Sequence, residues 1–478
     1  MLPRSVNGTV IWMVLLSLAA ACAAEERREN FDRDPGWDGH NNRPATNTAR
    51  AVVQDFGYSA TDRHGNGPGR VGGTITPDGV AAYYAKPIPM LNYEDSFSAS
   101  GTVIVGKGGG NTLLGFFNHS TINEWRTPNT LVFRINGRGD FFHEHIESAT
   151  RLWRADALLI TLLDGDKTYW VENPSDRVHT WSIAYDPKGN DGKGCCRTVF
   201  DGASAVCNFS EGHKADGATF DRFGLLNVVK SVDGSGEIWI DNVVINGKPE
   251  SFATDPGWEG LRNRLTYVSE EVRPRFNFGY SPTVYCGGKT SGELGGLFFR
   301  GDCRYPNMLA GYGDRLDALT LAKPLRASGK ITLRRAVSDS TTLFGFYHSE
   351  NSLHVTDSQA SALPMDYLGV SVEGPSSEGF YVYPSYRVHN GEQGSGYPGN
   401  PPYIYPDGTV HTWSLEYLPG DPGKIAVVLD DKRTEMAVPC DRQIVGTQFN
   451  RFGFVTTWID GNGQRLYLDD VKYTCRQE

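Results

Sequence analysis

Short runs in which apolar and polar residues alternate recur along the whole chain. They include TLVFRI from Thr130, DFFHEHI from Asp140, HTWSIAY from His179, EIWIDNVVI from Glu237, KIAVVLD from Lys424 and RLYLDDV from Arg465. A period of two places alternate side chains on opposite faces of an extended strand. Gly, Asn, Asp and Pro punctuate the runs, as in NGRGD at Asn136, DPKGNDGKG at Asp186 and DGNGQ at Asp460. Such clusters mark turns between strands. No stretch carries a capped 3.6-residue apolar period, so the pattern predicts an all-β protein.

The strand pattern is written twice. DPGWDGHNNR at Asp34 returns as DPGWEGLRNR at Asp255, DFGYSAT at Asp55 as NFGYSPT at Asn277, and LLGFFNHS at Leu113 as LFGFYHSE at Leu343. HTWSIAYDP at His179 returns as HTWSLEYLP at His411, FDRFGLLN at Phe220 as FNRFGFVT at Phe449, and IWIDNV at Ile238 as LYLDDV at Leu466. The spacing drifts from 221 positions (Phe31 to Phe252) to 232 (His179 to His411) while the order holds. This is a tandem duplication with a few loop changes. The expected boundary lies near Pro249–Ser251, giving residues 24–250 and 251–478 after an N-terminal segment, 1–23. Each half has the size of a large two-sheet jelly-roll. Asp-Pro-Gly opens each copy with a turn. Trp37 and Trp258 are expected to anchor the first strand of the half each one opens.

The order of these phrases resembles the concanavalin A-like (laminin-G-like) jelly-rolls: an F…GW entry, a GFF central strand, an HTW hairpin and a closing YLDDV strand. The mature chain also resembles exported bacterial carbohydrate-active proteins with the same doubled pattern. The resemblance implies two tandem jelly-roll β-sandwiches and a polysaccharide or oligosaccharide as partner. It leaves open glycoside hydrolase, polysaccharide lyase and non-catalytic glycan-binding module, since fold alone does not choose among chemistries. The Glu-x-Asp-x-(x)-Glu run of laminarinase-type hydrolases is absent. So are the Arg-Ser/Thr-Glu-x-Arg and Gln-Ile/Val-His motifs of alginate-lyase-type enzymes.

Composition narrows the compartment and excludes some partners. A net charge of −10 without a basic block argues against nucleic acid. Arg4, the apolar run Val10–Ala21 and Ala21-Cys22-Ala23 read as a signal peptide. Cys22 adds the alternative of a lipid anchor. No later segment is apolar enough to cross a membrane. An exported chain with seven further cysteines predicts disulfides: Cys286 with Cys303, Cys440 with Cys475, and Cys207 with Cys195 or Cys196.

The densest polar cluster runs from Asn118 to Glu147. A loop carries Asn118, His119, Glu124, Trp125 and Arg126, and the strands after it carry Arg134, His143, His145 and Glu147. His143, His145 and Glu147 share one face of a strand. They offer a base with orienting partners, beside Arg134 or Arg126 to grip a sugar carboxylate. His-x-His also permits a bound metal. No cofactor is required, though a structural calcium or a site metal remains compatible. We take His143, His145, Glu147, Glu124, Arg126 and Arg134 as catalytic candidates. Asn118, His119, Trp125, Trp153, His348, Tyr381 and Tyr386 are candidates for binding sugar, the tyrosines as stacking platforms. His179 and His411 recur where the remaining chemistry differs, and read as framework.

Overall fold

The computed structural model describes residues 24–43, 49–61, 68–122, 127–164, 167–270, 272–273, 275–355, 362–374, 379–397, 401–438 and 446–477. The signal-like segment, Cys22 and Cys440 lie outside them. Among the described residues no helix is long and apolar enough to cross a membrane.

Alternation becomes burial directly. In the strand His179–Asp186 every second residue from His179 is buried, which sends Trp181, Ile183 and Tyr185 into the core. Four large antiparallel sheets result, and each of the two main cores lies between a pair of them. In the first sandwich one sheet centres on Phe97–Val105 and Gly236–Ile245. The other runs Ala155–Leu159, Phe141–Ala149, Thr130–Arg138, Asn111–Phe117, Thr219–Asn227, Tyr83–Asn92. In the second sandwich one sheet centres on Leu325–Ala336 and Gly463–Arg476. The other runs Gly311–Thr320, Gln448–Val455, Ser340–Tyr347, Tyr367–Gly374, Phe380–Arg387, Gln393–Ser395. Some successive strands cross between facing sheets, as Tyr83–Asn92, Phe97–Val105 and Asn111–Phe117 do, and others form hairpin runs within one sheet, which is a jelly-roll organisation of the concanavalin A-like class.

The opening phrases do not stay with the halves they open. Trp37 packs in the core of the second sandwich, its ring centroid 6.0 Å from those of Tyr312 and Tyr473. Trp258 packs in the first, 5.9 Å from Tyr84. Asp38–His40 adds a strand beside Gly311–Thr320, and Glu259–Leu261 adds one beside Tyr83–Asn92. Glu25–Glu29 also pairs with Gly463–Arg476, and Arg264–Ser269 with Arg50–Ser59. The expectation that each Trp anchors its own half is therefore corrected: each phrase closes the other sandwich.

The contacts of the exchange are reciprocal. Asp34 and Asp255 each accept the amide of the Gly two residues on, at 2.9 Å, forming the turn read from Asp-Pro-Gly. Gly36 and Gly257 hold φ of +67° and +64°, where a side chain would be strained. Asn42 donates to the Phe278 carbonyl (2.6 Å) and Asn263 to that of Phe56 (2.5 Å). Arg451 reaches Asp38 at 2.9 Å and Arg222 reaches Glu259 at 2.7 Å. The shared arginines of the two FxRFG phrases are thus clamps on the exchanged strands.

No disulfide is formed among the described residues, and Cys440, the partner expected for Cys475, lies outside them. All six described cysteines beyond residue 23 are thiols. Cys286 donates to the Tyr467 carbonyl (3.1 Å) instead of meeting Cys303. Cys475 faces the Glu25 carbonyl at 3.4 Å. Cys196 and Cys207 do sit opposite each other in register, both buried in the core.

Candidate functional site

The outer face of the sheet holding Phe141–Ala149 is apolar at its centre. There Leu113, Phe117, Val132 and Leu226 pack with Ile122 and with Val337 of the second sandwich. Polarity appears toward the strands Thr130–Arg138 and Phe141–Ala149. Their register sets Arg134 opposite His145 and Asn136 opposite His143. Phe142 and Ile146 point into the core, so His143, His145 and Glu147 face outward together, as their spacing predicts.

The electrostatics of this face are unusual. Burial pushes both imidazoles down to a pKa of about 4, and Arg138 and Arg134 push further on each. Both histidines are therefore neutral at physiological pH. The Asn136 amide lies 3.2 Å from Nδ1 of His145. The near atom is the amide nitrogen, which donates to Nδ1, so in this orientation Nε2 carries the ring proton. Arg134 bonds Glu147 at 3.2 Å. His143 is only 6% exposed while His145 is partly open, so His145 is the better placed to meet a ligand.

A carboxylate pair for ordinary glycoside hydrolysis does not assemble from the described candidates. Glu144 points into the core, bonded to Asn173 at 2.6 Å. Its burial raises its pKa to about 8. Asp140 lies in the exposed turn, paired with Lys107. Glu147 alone shares the histidine face. No group of three His, Cys, Asp or Glu suited to a metal occurs among the described residues.

The other candidates scatter. Glu124, Trp125 and Arg126 lie outside the described residues. Asn118 is buried and ties its own loop, donating to Thr219 and accepting from Ser120. His119 pairs with Asp221 at 2.5 Å. Trp153 stacks on Tyr405 of the second sandwich, 5.8 Å between centroids. His348 Nδ1 accepts the amides of Glu350 and Asn351, fixing a turn. Tyr386 is corrected: it is 4% exposed and packs in the core, so its ring cannot serve as a platform.

Tyr381 instead lines a groove that the sequence reading largely missed. Its strand aligns with Phe141–Ala149 through the duplication. Ser371 faces Tyr383, and Glu373 faces Tyr381, as Arg134 faces His145 and Asn136 faces His143. Two adjoining compartments of about 340 and 470 Å³ share Glu373, Tyr383 and Ser395. Arg300 crosses the groove, bonding Thr341 (2.8 Å), Asp339 (2.6 Å) and Glu373 (2.8 Å). Tyr383 donates to Glu373 as well. Arg300 and Asp339 are remote in sequence from the tyrosines and belong to no motif, so only folding brings them together.

Two arrangements imitate catalysis without access. Ser148, His213 and Asp156 stand in hydrogen-bond order, at 3.3 and 2.8 Å. Ser148 and His213 are sealed, however, at 1% and 0% exposure, and the Ser148 hydroxyl already engages Tyr93. His179 and His411 hold Asp201 and Asp430 at the starts of their hairpins, a framework role in both halves.

Searched against protein families and against curated proteins, the chain matches none. Among solved structures it is similar to mouse laminin alpha1 chain domains LG4-5. Identity is 11% over 91% of this chain and 96% of that one, with a TM-score of 0.23. It is also similar to the Emp47p carbohydrate recognition domain (10% identity, 42% and 89% covered, TM-score 0.27). A third is the endo-β-1,4-glucuronan lyase of Trichoderma reesei (12% identity, 48% and 98% covered, TM-score 0.26). No residue correspondence follows from scores of this size.

Proposed function

We propose that the chain is an exported carbohydrate-active protein that cleaves an acidic polysaccharide by β-elimination at the outer face of the first sandwich. The observation that carries the reading is a pair of neutral imidazoles, His143 and His145, lowered to a pKa of about 4 beside Arg134 and Arg138. Elimination from a uronate needs a cation on the carboxylate and a neutral base for the C5 proton. The guanidiniums supply the first and His145 the second, with the Asn136 amide turned over so that its oxygen accepts from Nδ1 and Nε2 presents the lone pair. The C5–H and C4–O bonds break, a C4=C5 double bond forms, and the departing C4 oxygen takes a proton. Export places the protein where such polymers are met.

The test is incubation of purified protein with a polysaccharide panel, reading ultraviolet absorbance and reducing ends together. Absorbance should rise on a uronate polymer, and His145→Ala should lower the rate by about 10²-fold or more. Reducing ends without absorbance overturn elimination in favour of hydrolysis. A second reading, binding without cleavage, is favoured by the low exposure of His143. Retention of polymer with neither signal would establish it.

A further inference from the structure

The aligned strands of the two sandwiches carry opposite chemistry on the same face. Where the first has Arg134, Asn136, His143 and His145, the second has Ser371, Glu373, Tyr381 and Tyr383. In the second-sandwich groove the described charged lining residues are Arg300, Asp339 and Glu373. Both carboxylates bond the one guanidinium, so the set sums to one negative charge. Arg300 is itself buried, with all three nitrogens engaged. It is not available to grip a carboxylate from outside.

The rest of the lining suits hydroxyl groups and ring faces. Tyr397 is half exposed at one end, its ring 5.3 Å from that of Tyr381 and 5.8 Å from that of Tyr383. Aromatic faces pack against the apolar C–H surface of a sugar ring. Carboxylates held in place by an arginine accept sugar hydroxyls without having to be ordered first. Ser395, Gln393 and Thr341 add polar groups along the length. Tyr383 is not a base. Burial and the adjacent Glu373 raise its pKa, and it keeps its proton. The compartments fall in the size range of saccharide-scale ligand pockets.

From this geometry we infer that the groove lined by Tyr381, Tyr383, Tyr397, Glu373 and Arg300 is a non-catalytic binding site for an uncharged saccharide. It is distinct in ligand from the cationic face of the first sandwich. The inference rests on the carbohydrate-active reading of the chain and deepens it. The two halves of the duplication have diverged in the charge of the sugar they meet. A polymer carrying both acidic and uncharged residues would engage both.

The experiment is calorimetric titration of the full chain with gluco-, manno-, galacto- and xylohexaose, and with uronate hexasaccharides of the same length. At least one uncharged oligosaccharide should bind. Tyr397→Ala, at an exposed position, should weaken that binding about tenfold or more. Ser395→Trp, which fills the junction of the two compartments, should abolish it. Neither change should alter the response to uronate oligosaccharides. His145→Ala should do the converse, losing uronate cleavage and keeping uncharged-sugar binding. If no uncharged hexasaccharide binds, or if Tyr397→Ala weakens only uronate binding, the inference is overturned. Uncharged-sugar binding without cleavage of any uronate polymer would sink the elimination reading alone.

Discussion

Replacing Trp37 by Ala tests the reciprocal exchange of the opening phrases, because the two accounts of that residue predict damage in different places. Trp37 is 8% exposed and contacts Phe31, Tyr312 and Tyr473 in the second sandwich. Truncating a buried Trp to Ala costs about 3–5 kcal/mol, from lost transfer energy and the cavity left behind. At about 1.4 kcal/mol per tenfold change, that is a rise of roughly 10²- to 4 × 10³-fold in the open population. Hydrogen exchange followed by mass spectrometry reads this population peptide by peptide. Trp37→Ala should accelerate exchange in Gly311–Thr320, Gln448–Val455 and Gly463–Arg476, although these strands lie hundreds of residues from the substitution. Trp258→Ala should accelerate exchange in Tyr83–Asn92 and Thr219–Asn227. Acceleration after Trp37→Ala confined to residues 50–245 would refute the exchange.

Three further outcomes follow from particular residues. If His145 is the base, activity needs its neutral form, which persists as pH falls until about 4. The acid limb of kcat/KM should therefore lie near pH 4, and a limb near 6.5 would remove His145 from the role. Glu144 has its pKa raised to about 8 by burial, so the folded state binds its proton more tightly than the unfolded chain does. Its contribution is full below an unfolded value near 4.5 and is lost as pH rises through 8. Glu144→Gln should therefore be more favourable at pH 9 than at pH 5 by about 4 kcal/mol, some three pH units of lost linkage, read as a melting temperature raised by roughly 8–16 °C relative to its effect at pH 5. An equal effect at both pH values counts against a buried, protonated Glu144. Arg451→Ala with Arg315→Ala removes both guanidiniums that hold Asp38 and should loosen the exchanged N-terminal strand, speeding proteolysis within residues 25–43 while leaving residues 252–269 protected. Unchanged cleavage would show that the clamp contributes nothing.

Much of the site was legible because it is local. A period-two strand fixes which side chains share a face, so His143, His145 and Glu147 could be placed together from DFFHEHIE alone. Their neutrality could not. It depends on burial and on Arg138 and Arg134, which the register of a neighbouring strand brings near. Tyr386 shows the converse failure. Tyr381 and Tyr386 read alike as aromatic residues of a strand, yet Tyr386 has the parity that points inward. The groove of the second sandwich was read only through its tyrosines, because Arg300 and Asp339 come from other parts of the chain.

The sequence by itself determined the strand class and the turn geometry of each Asp-Pro-Gly, both set by residues within a few positions of one another, and the duplication, which is plain from phrases repeated in order 221 to 232 positions apart. Tertiary structure alone decided which sandwich each opening phrase completes. The two phrases are nearly identical and so are the sites that receive them, so no local preference separates the pairings. Connectivity breaks the tie. The phrase at Phe252 follows the Gly236–Ile245 strand after one short turn and falls onto the sandwich that strand belongs to. The copy at Phe31 is left to close the other.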